Sequence, residues 1–322
     1  MNVVEVEGLV REFVLRRSAG RLRRERTVVR AVDDISFTIA EGEAVGYIGA
    51  NGAGKSTTIK MLTGIVAPTH GSVRTLGLDP TTQRRLLARR IGVVFGQRSQ
   101  LWWDLPLGQS YQILAAIHGL TAWDARLAHL VEQLELEDFL DTPVRQLSLG
   151  QRMRGEVAAA LLHEPSLLIL DEPTIGLDVL SKEKLRQFLL AERCEHGTTL
   201  LLTTHDMSDI ERLCDRVLVV DHGRLAFDGT LPALAATVQA ERVLSVDLVA
   251  PHPPLSSIPA TRLVSIEADG IRQRLAFDPS VVTAATVLAA VTALTEVRDL
   301  AIEEPDIEDV VRRLYLAGGR GK

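Results

Sequence analysis

Two rhythms of hydrophobic and polar residues alternate along this chain. Residues 3–14 (VVEVEGLVREFV) alternate with a period of two and read as an edge strand with Phe13 near its end. Around Glu41-Gly42, two apolar stretches predict a pair of strands, the second running through Val45, Tyr47 and Ile48. Residues 68–78 read as a turn and a short strand, an antiparallel edge beside the main sheet. Ile91 to Gln97 reads as a buried strand ending in a polar residue. The period then lengthens. Leu107, Tyr111, Leu114 and Ile117 recur at helical spacing, followed by Leu127, Leu130, Val131 and Leu134, so residues 107–140 predict two helices inserted into the main sheet. A loop and helix are expected over 147–162. Leu167 to Asp171 is a continuous apolar run, the pattern of a strand buried on both faces. Two more strands follow, Thr199–Thr203 and Val217–Val220, with Ser181–Cys194 helical before the first. Strands alternating with helices predict an α/β fold with a mostly parallel sheet.

Past Gly229 the texture changes. A helix over 231–239, a Pro-rich break, strands at 242–249, 262–267, 271–277 and 297–302, and helices at 280–294 and 306–316 predict a small α+β domain. The expected division is 1–230 and 231–322. The second domain carries no chemical motif.

Composition narrows the function classes. A net charge of −6 argues against nucleic acid as the main partner. The two cysteines, Cys194 and Cys214, have no metal-ligand spacing and fit a reducing cytosol. No segment reaches the roughly 18 consecutive apolar residues of a membrane helix, and the first residues read as a strand rather than a signal peptide. Arg11 to Arg30 is strongly basic. It reads as a solvated loop or short helix over 16–30, or as a patch facing anionic lipid.

Candidate chemistry begins at Tyr47–Leu62, YIGANGAGKSTTIKML. Gly49, four residues, then Gly54-Lys55-Ser56 is the spacing of a phosphate-binding P-loop between a strand and a helix. Gly49, Ala50, Asn51, Gly52, Ala53 and Gly54 form a loop whose N–H groups and following helix dipole converge on one point. Lys55 is placed to reach the β- and γ-phosphates, Ser56 to bind Mg²⁺, and Thr57 to continue the helix. Asp171 and Glu172 follow one another at a strand end, with side chains expected on opposite sides. Asp171 is assigned to the metal and Glu172 to the attacking water, as general base. His205 and Gln97 also lie at strand ends, where ligands sit in open α/β sheets.

Six motifs in order and spacing make the chain, over roughly residues 1–230, resemble the nucleotide-binding subunit of an ABC transporter. They are GANGAGKS (Gly49–Ser56), Gln97, LSLGQ (Leu147–Gln151), LLILDE (Leu167–Glu172), GLD (Gly176–Asp178) and His205. The resemblance implies a P-loop ABC-type ATPase core: a mostly parallel sheet, an antiparallel β edge and an inserted helical subdomain at about 100–162. It further implies two subunits packed head to tail around two ATP molecules. Ser148, Gly150 and Gln151 would then cover the partner's nucleotide, and Asp178 would communicate across the dimer. Phe13 would stack on adenine, Gln97 would touch Mg²⁺ or the lytic water, and His205 the γ-phosphate. At position 149 stands Leu where the family most often has Gly, a change expected to be tolerated.

VVFGQRSQLWWDLP, PVRQLSLGQRMR and EEPDIEDVVRRLY resemble the drug-exporter-type branch of bacterial ABC ATPases. That implies export through separately encoded transmembrane permease subunits, at the cytoplasmic face of the cell membrane, as a homodimer or a heterodimer with a related ATPase. Trp102 and Trp103 are candidates for the surface that receives a membrane partner, or for core. The alternative is a soluble non-transport ABC-type ATPase acting on ribosomes or DNA. One cassette and no sustained heptads weigh against it.

Overall fold

The computed structural model describes residues 1–18, 24–96, 99–204, 206–237 and 241–303, and the side chains of 15–18 and 24–26 are not among what it describes. The expected helix at 306–316, Gln97 and His205 therefore lie outside the described residues. The chain divides into two compact units, Met1–Thr230 and Leu231–Lys322.

Unit 1 opens with β1 (Asn2–Ser18), β2 (Arg24–Ala40) and β3 (Ala44–Gly49), then α1 (Lys55–Leu62), β4 (His70–Thr75), α2 (Arg84–Ala88) and β5 (Ile91–Phe95). Next come α3 (Leu107–His118), α4 (Asp124–Gln133), α5 (Leu149–Leu161) and β6 (Leu167–Asp171). It closes with α6 (Val179–His196), β7 (Thr199–Thr203), α7 (Met207–Leu213), β8 (Arg216–Asp221) and β9 (Arg224–Gly229).

A six-stranded sheet runs β5-β6-β7-β3-β8-β9, parallel throughout except for β9, which returns antiparallel to β8. Its central strands are apolar runs buried on both faces, as helix-covered parallel strands must be. A second, antiparallel sheet has the order β2-β1-β4. Between the two sheets lies the main core, where Val4, Val6, Leu9, Ile35 and Phe37 meet Tyr47, Leu201 and Leu218 around Ile59, Met61 and Leu62 of α1.

Two expectations are corrected here. β1 is the middle strand of its sheet, not an edge, because β4 pairs along its outer side. The stretch read as a loop or short helix at 16–30 is strand wherever it is described, with pairing that continues to Ser18↔Arg24. An arginine-rich stretch is as compatible with a solvated ribbon as with a loop, and cross-strand pairing decides it. The inserted helices form as expected, and Leu107, Tyr111 and Leu114 are buried, but Ile117 is exposed. α3 ends at Gly119 in the left-handed region, one turn after the last buried position.

Unit 2 consists of α8 (Leu231–Thr237), β10 (Arg242–Leu248), β11 (Thr261–Glu267), β12 (Arg272–Phe277), α9 (Ala284–Thr292) and β13 (Val297–Glu303). Its antiparallel sheet has the order β11-β12-β10-β13. Leu244, Val246, Leu275 and Phe277 on one face pack against Val287 and Val291 of α9. Among the described residues, no helix is long and apolar enough to cross a membrane.

Candidate nucleotide site

Buried β3 delivers the chain to a tight loop over residues 50–54, and α1 starts at Lys55. Gly54 stands at φ 106°, and a Cβ there would lie 2.4 Å from the Ala31 carbonyl oxygen, so only glycine fits. Its carbonyl accepts from the amides of Thr57 and Thr58 at 3.0 Å each. The Lys55 ammonium folds back over the loop and donates to the carbonyls of Gly49 at 2.6 Å and Ala50 at 3.2 Å. Burial pushes the Lys55 pKa down, while the carboxylates of Glu172 and Asp171 pull the other way. Beneath the loop, the Tyr47 hydroxyl donates to Thr58 Oγ1 at 3.1 Å and fixes α1 on β3.

The facing wall comes from the ends of β5 and β6, with β7 bonded behind it. Asp171 Oδ1 accepts from Thr203 Oγ1 at 2.5 Å, and Oδ2 faces the Ser56 hydroxyl at 3.5 Å. The expectation that Asp171 and Glu172 point to opposite sides is corrected: both line one cavity. Strand geometry stops at Asp171. Glu172 turns to φ 59° while its amide donates to the Thr203 carbonyl at 2.9 Å. A left-handed turn at a non-glycine residue costs about 1–2 kcal/mol, and here it redirects the carboxylate.

The cavity has a volume of about 360 Å³. Asn51, Gly52, Gly54, Lys55, Ser56 and Thr57 line one side and Asp171 and Glu172 the other. A loop of main-chain donors with an ammonium, opposite two carboxylates, suits a polyphosphate whose charge is neutralised on one side and whose water is handled on the other. Ser56 and Asp171 present only oxygen donors toward each other, the donor type a hard divalent cation takes. Ala31, Lys60, Phe95, Gly96 and Ile175 also line the cavity, and sequence reasoning missed them. Thr203, which orients Asp171, was missed too, although a threonine closing the apolar strand within LLTTHD was a readable signal.

Gly49, Ala50 and Ala53 support the loop without lining the cavity. Ala53 donates to the Ala50 carbonyl at 3.0 Å, and its own carbonyl receives Gly223 at 3.0 Å. Phe13 is half-buried opposite Val29, with the Arg11 guanidinium 4.7 Å from its ring centre. Ser148, Gly150, Gln151 and Asp178 stand outside the cavity as well. Ser148 caps α5 in a reciprocal box: its hydroxyl accepts from the Gln151 amide at 3.2 Å, and the Gln151 side chain accepts from its amide at 2.9 Å. Asp178 caps α6, accepting from the Ser181 amide at 2.9 Å.

Leu149 has its own setting. Its side chain lies across Gly176, 2.3 Å from where a Cβ would stand, and Gly176 is at φ 70°. Leucine at 149 and glycine at 176 are thus fitted to one another. Trp102 is half-buried and Trp103 is 50% exposed, with the Arg152 guanidinium 5.7 Å from its ring centre.

One further cluster, His129, Glu195 and His196, brings three ligand-type atoms within 4.8 Å of one another. Arg126 stands 3.2 Å from His196 Nε2 and also pairs with buried Glu192. Arginine only donates, so that ring nitrogen is already an acceptor in an ion-pair network.

The family model for ABC transporters matches residues 32–175. The ABC transporter ATP-binding protein NatA of Bacillus subtilis is 33% identical over 223 residues, 69% of this chain and 90% of that protein. Nod factor export ATP-binding protein I of Paraburkholderia xenovorans is 40% identical over 220 residues, 66% of this chain and 69% of that protein. Among solved structures, an ATP-binding subunit of an ABC transporter superposes with a TM-score of 0.62 at 28% identity, covering 73% of this chain and 92% of that one. A dimeric ATP-binding cassette, MJ0796, in a post-hydrolysis state bound to ADP and Pi, gives 0.60 at 26% identity, covering 71% of this chain and 98% of that one.

Proposed function

The chain belongs to the family of ABC transporter ATP-binding subunits, and from that premise we propose that it hydrolyses ATP to drive export through separately encoded membrane subunits. The observation that carries the mechanism is the cavity in which Lys55 and Ser56 face Asp171 and Glu172. The ammonium of Lys55 exchanges its main-chain carbonyls for β- and γ-phosphate oxygens, helped by the amides at the start of α1. Ser56 and Asp171 would hold Mg²⁺, which when bound would supply positive charge beside the phosphates. Glu172, redirected by its left-handed backbone, takes the proton of the attacking water. Gln97 and His205 are assigned to the same chemistry because each follows an apolar run in the sequence. Phe13 is assigned to the adenine ring.

The residues outside the cavity fit a second role. Ser148, Gly150 and Gln151 at the capped start of α5 offer amides and a dipole to the γ-phosphate held by a partner subunit. Asp178 faces the same partner. The dimer seen in the solved cassette supports this reading, and the export role named for the Nod factor relative supports the direction of transport. With no membrane-crossing helix among the described residues, the subunit docks from the cytoplasmic face onto permease subunits, with exposed Trp103 at the receiving surface.

Glu172→Gln tests the reading. Turnover is expected to fall by about 10²–10⁴-fold, with ATP retained, dimers accumulating, and polytopic membrane proteins recovered from detergent-solubilised native membranes. Normal turnover removes Glu172 as the base. Recovery of ribosomal or DNA-bound partners, with no membrane protein, overturns the transport role.

A further inference from the structure

Beyond Val10, β1 pairs with β2 alone. The last pair of β1 with β4 is Val10↔His70, and the Glu12 amide donates to Thr69 Oγ1 at 3.0 Å to close that side. From Phe13↔Val29 to Ser18↔Arg24 the two strands run on as a ribbon, with no third strand beside them among the described residues. At about 3.3 Å per residue, the step from Phe13 to Ser18 carries it about 17 Å. A bare two-stranded ribbon is marginal in water, and this one leaves apolar surface uncovered. Val14 and Val28 stand directly opposite one another and are 46% and 50% exposed. Val29, opposite Phe13, is 41% exposed.

Charge is graded along the ribbon. At its base the arginines are taken up: Arg11 donates to the Ala67 carbonyl at 3.0 Å, and Arg30 pairs with Glu12 at 2.9 Å and Asp33 at 2.8 Å. Further out, residues 15–26 hold six arginines and one carboxylate, Glu25. The register sets Arg16 opposite Arg26. Like charges across a strand pair repel, and an anion lying beside them relieves that cost. Valines offer nothing to a phosphate or a base edge, but they gain on entering the apolar side of a headgroup layer. Arginine heads beside apolar neighbours thus suit a membrane interface better than a nucleic-acid groove. We propose that the β1–β2 ribbon docks on an anionic lipid surface, its arginines meeting headgroup phosphates and Val14 and Val28 entering beneath them. A chain of net charge −6 is repelled by such a surface as a whole. A projecting basic ribbon overcomes that repulsion and fixes which side of the chain meets the bilayer.

The test is flotation of the whole chain, without membrane subunits, on vesicles of phosphatidylcholine alone or of phosphatidylcholine mixed with phosphatidylglycerol. Binding is expected to the mixed vesicles only, and it should weaken as salt is raised. Arg21→Gln, Arg23→Gln and Arg24→Gln together should weaken it by about 100-fold, at about 5-fold for each arginine. ATP affinity should stay within about 2-fold. The same loss of charge at exposed positions elsewhere, Arg74→Gln with Arg84→Gln and Arg85→Gln, should change binding by less than about 5-fold. Val14→Thr with Val28→Thr keeps β-branched side chains and should weaken binding by about 5-fold. Equal binding to both kinds of vesicle, or to neither, overturns the proposal. So does an unchanged affinity in either ribbon variant, or an equal loss in the Arg74 set. Tighter binding to a DNA or RNA duplex than to the mixed vesicles assigns the ribbon to nucleic acid and overturns it too. No outcome depends on turnover or on a permease, so the transport reading stands or falls separately.

Discussion

In the four-stranded sheet of unit 2, Gln273 is fully buried and its side chain is held at both ends: its two N–H groups are shared among the carbonyls of His252, Pro253 and Gly270 at 2.9, 3.1 and 3.2 Å, and the oxygen accepts from the Leu255 amide at 2.9 Å. At the strand ends of unit 1 the polar groups are held differently. Lys55 rests on two carbonyls of its own loop, and Ser56 and Asp171 stand at a long 3.5 Å. Gln273 is a closed set of hydrogen bonds that pins a loop; the Lys55 group is an open set with bonding capacity left over. Burial alone does not separate structural from functional polar residues. The number of bonds left for something else does.

That contrast can be broken most directly at Lys55. Lys55→Ala should weaken nucleotide binding by about 10- to 100-fold, the worth of a charge-assisted bond of about 1.5–3 kcal/mol, with little change in melting temperature. A lost fold with intact affinity would reverse the assignment. Gln273→Ala should do the opposite. Leaving buried carbonyls and an amide unpaired costs about 1–3 kcal/mol, read as a lower denaturation midpoint, while nucleotide affinity of the folded chain stays within about 2-fold.

A third arrangement sharpens the rule. His118 and His163 stack with ring centres 4.0 Å apart, and Nδ1 of each is buried with no partner among the described residues. Burial, with His118 adding to it, pushes His163 down to about 4, and burial also lowers His118, with Arg89 contributing. His163 therefore stays neutral in the folded chain down to about pH 4, while in the unfolded chain it protonates near 6.5. Stability should therefore fall as pH drops from about 6.5 to about 4, by about 1–3 kcal/mol, and His163→Leu should flatten that slope in urea titrations. A slope unchanged by His163→Leu would assign the pH dependence to other groups. The smallest effect is expected at Gly176. A Cβ there meets Leu149 in a left-handed backbone, so Gly176→Ala should cost about 1–2 kcal/mol, and adding Leu149→Ala should recover part of it. No recovery would mean that the two positions are not fitted to each other.

The parallel core was legible because buried parallel strands are unbroken apolar runs, as in Leu167–Asp171 and Thr199–Thr203. The P-loop was legible because its glycines and Lys55-Ser56 occur at fixed offsets. What escaped was set by pairing and backbone rather than by residue type. Alternation cannot tell a middle strand from an edge, so β1 was misplaced. The φ of Glu172 is invisible in LDE, so the side of its carboxylate was misjudged. Ala31 reaches the cavity from a strand that precedes the loop by some 20 residues, and nothing in its own neighbourhood marks it.

The order β5-β6-β7-β3-β8-β9 also has a consequence in time. β3, which carries the chain into the P-loop, is flanked by β7 and β8, and its first pair joins Ala44 to Leu200. As the chain leaves the ribosome at about 5–20 residues per second, that strand waits about 10–30 s for its first neighbour. During that interval an apolar segment meant for the centre of a sheet has both edges free, and newborn chains are most open then to mispairing or to capture by a chaperone.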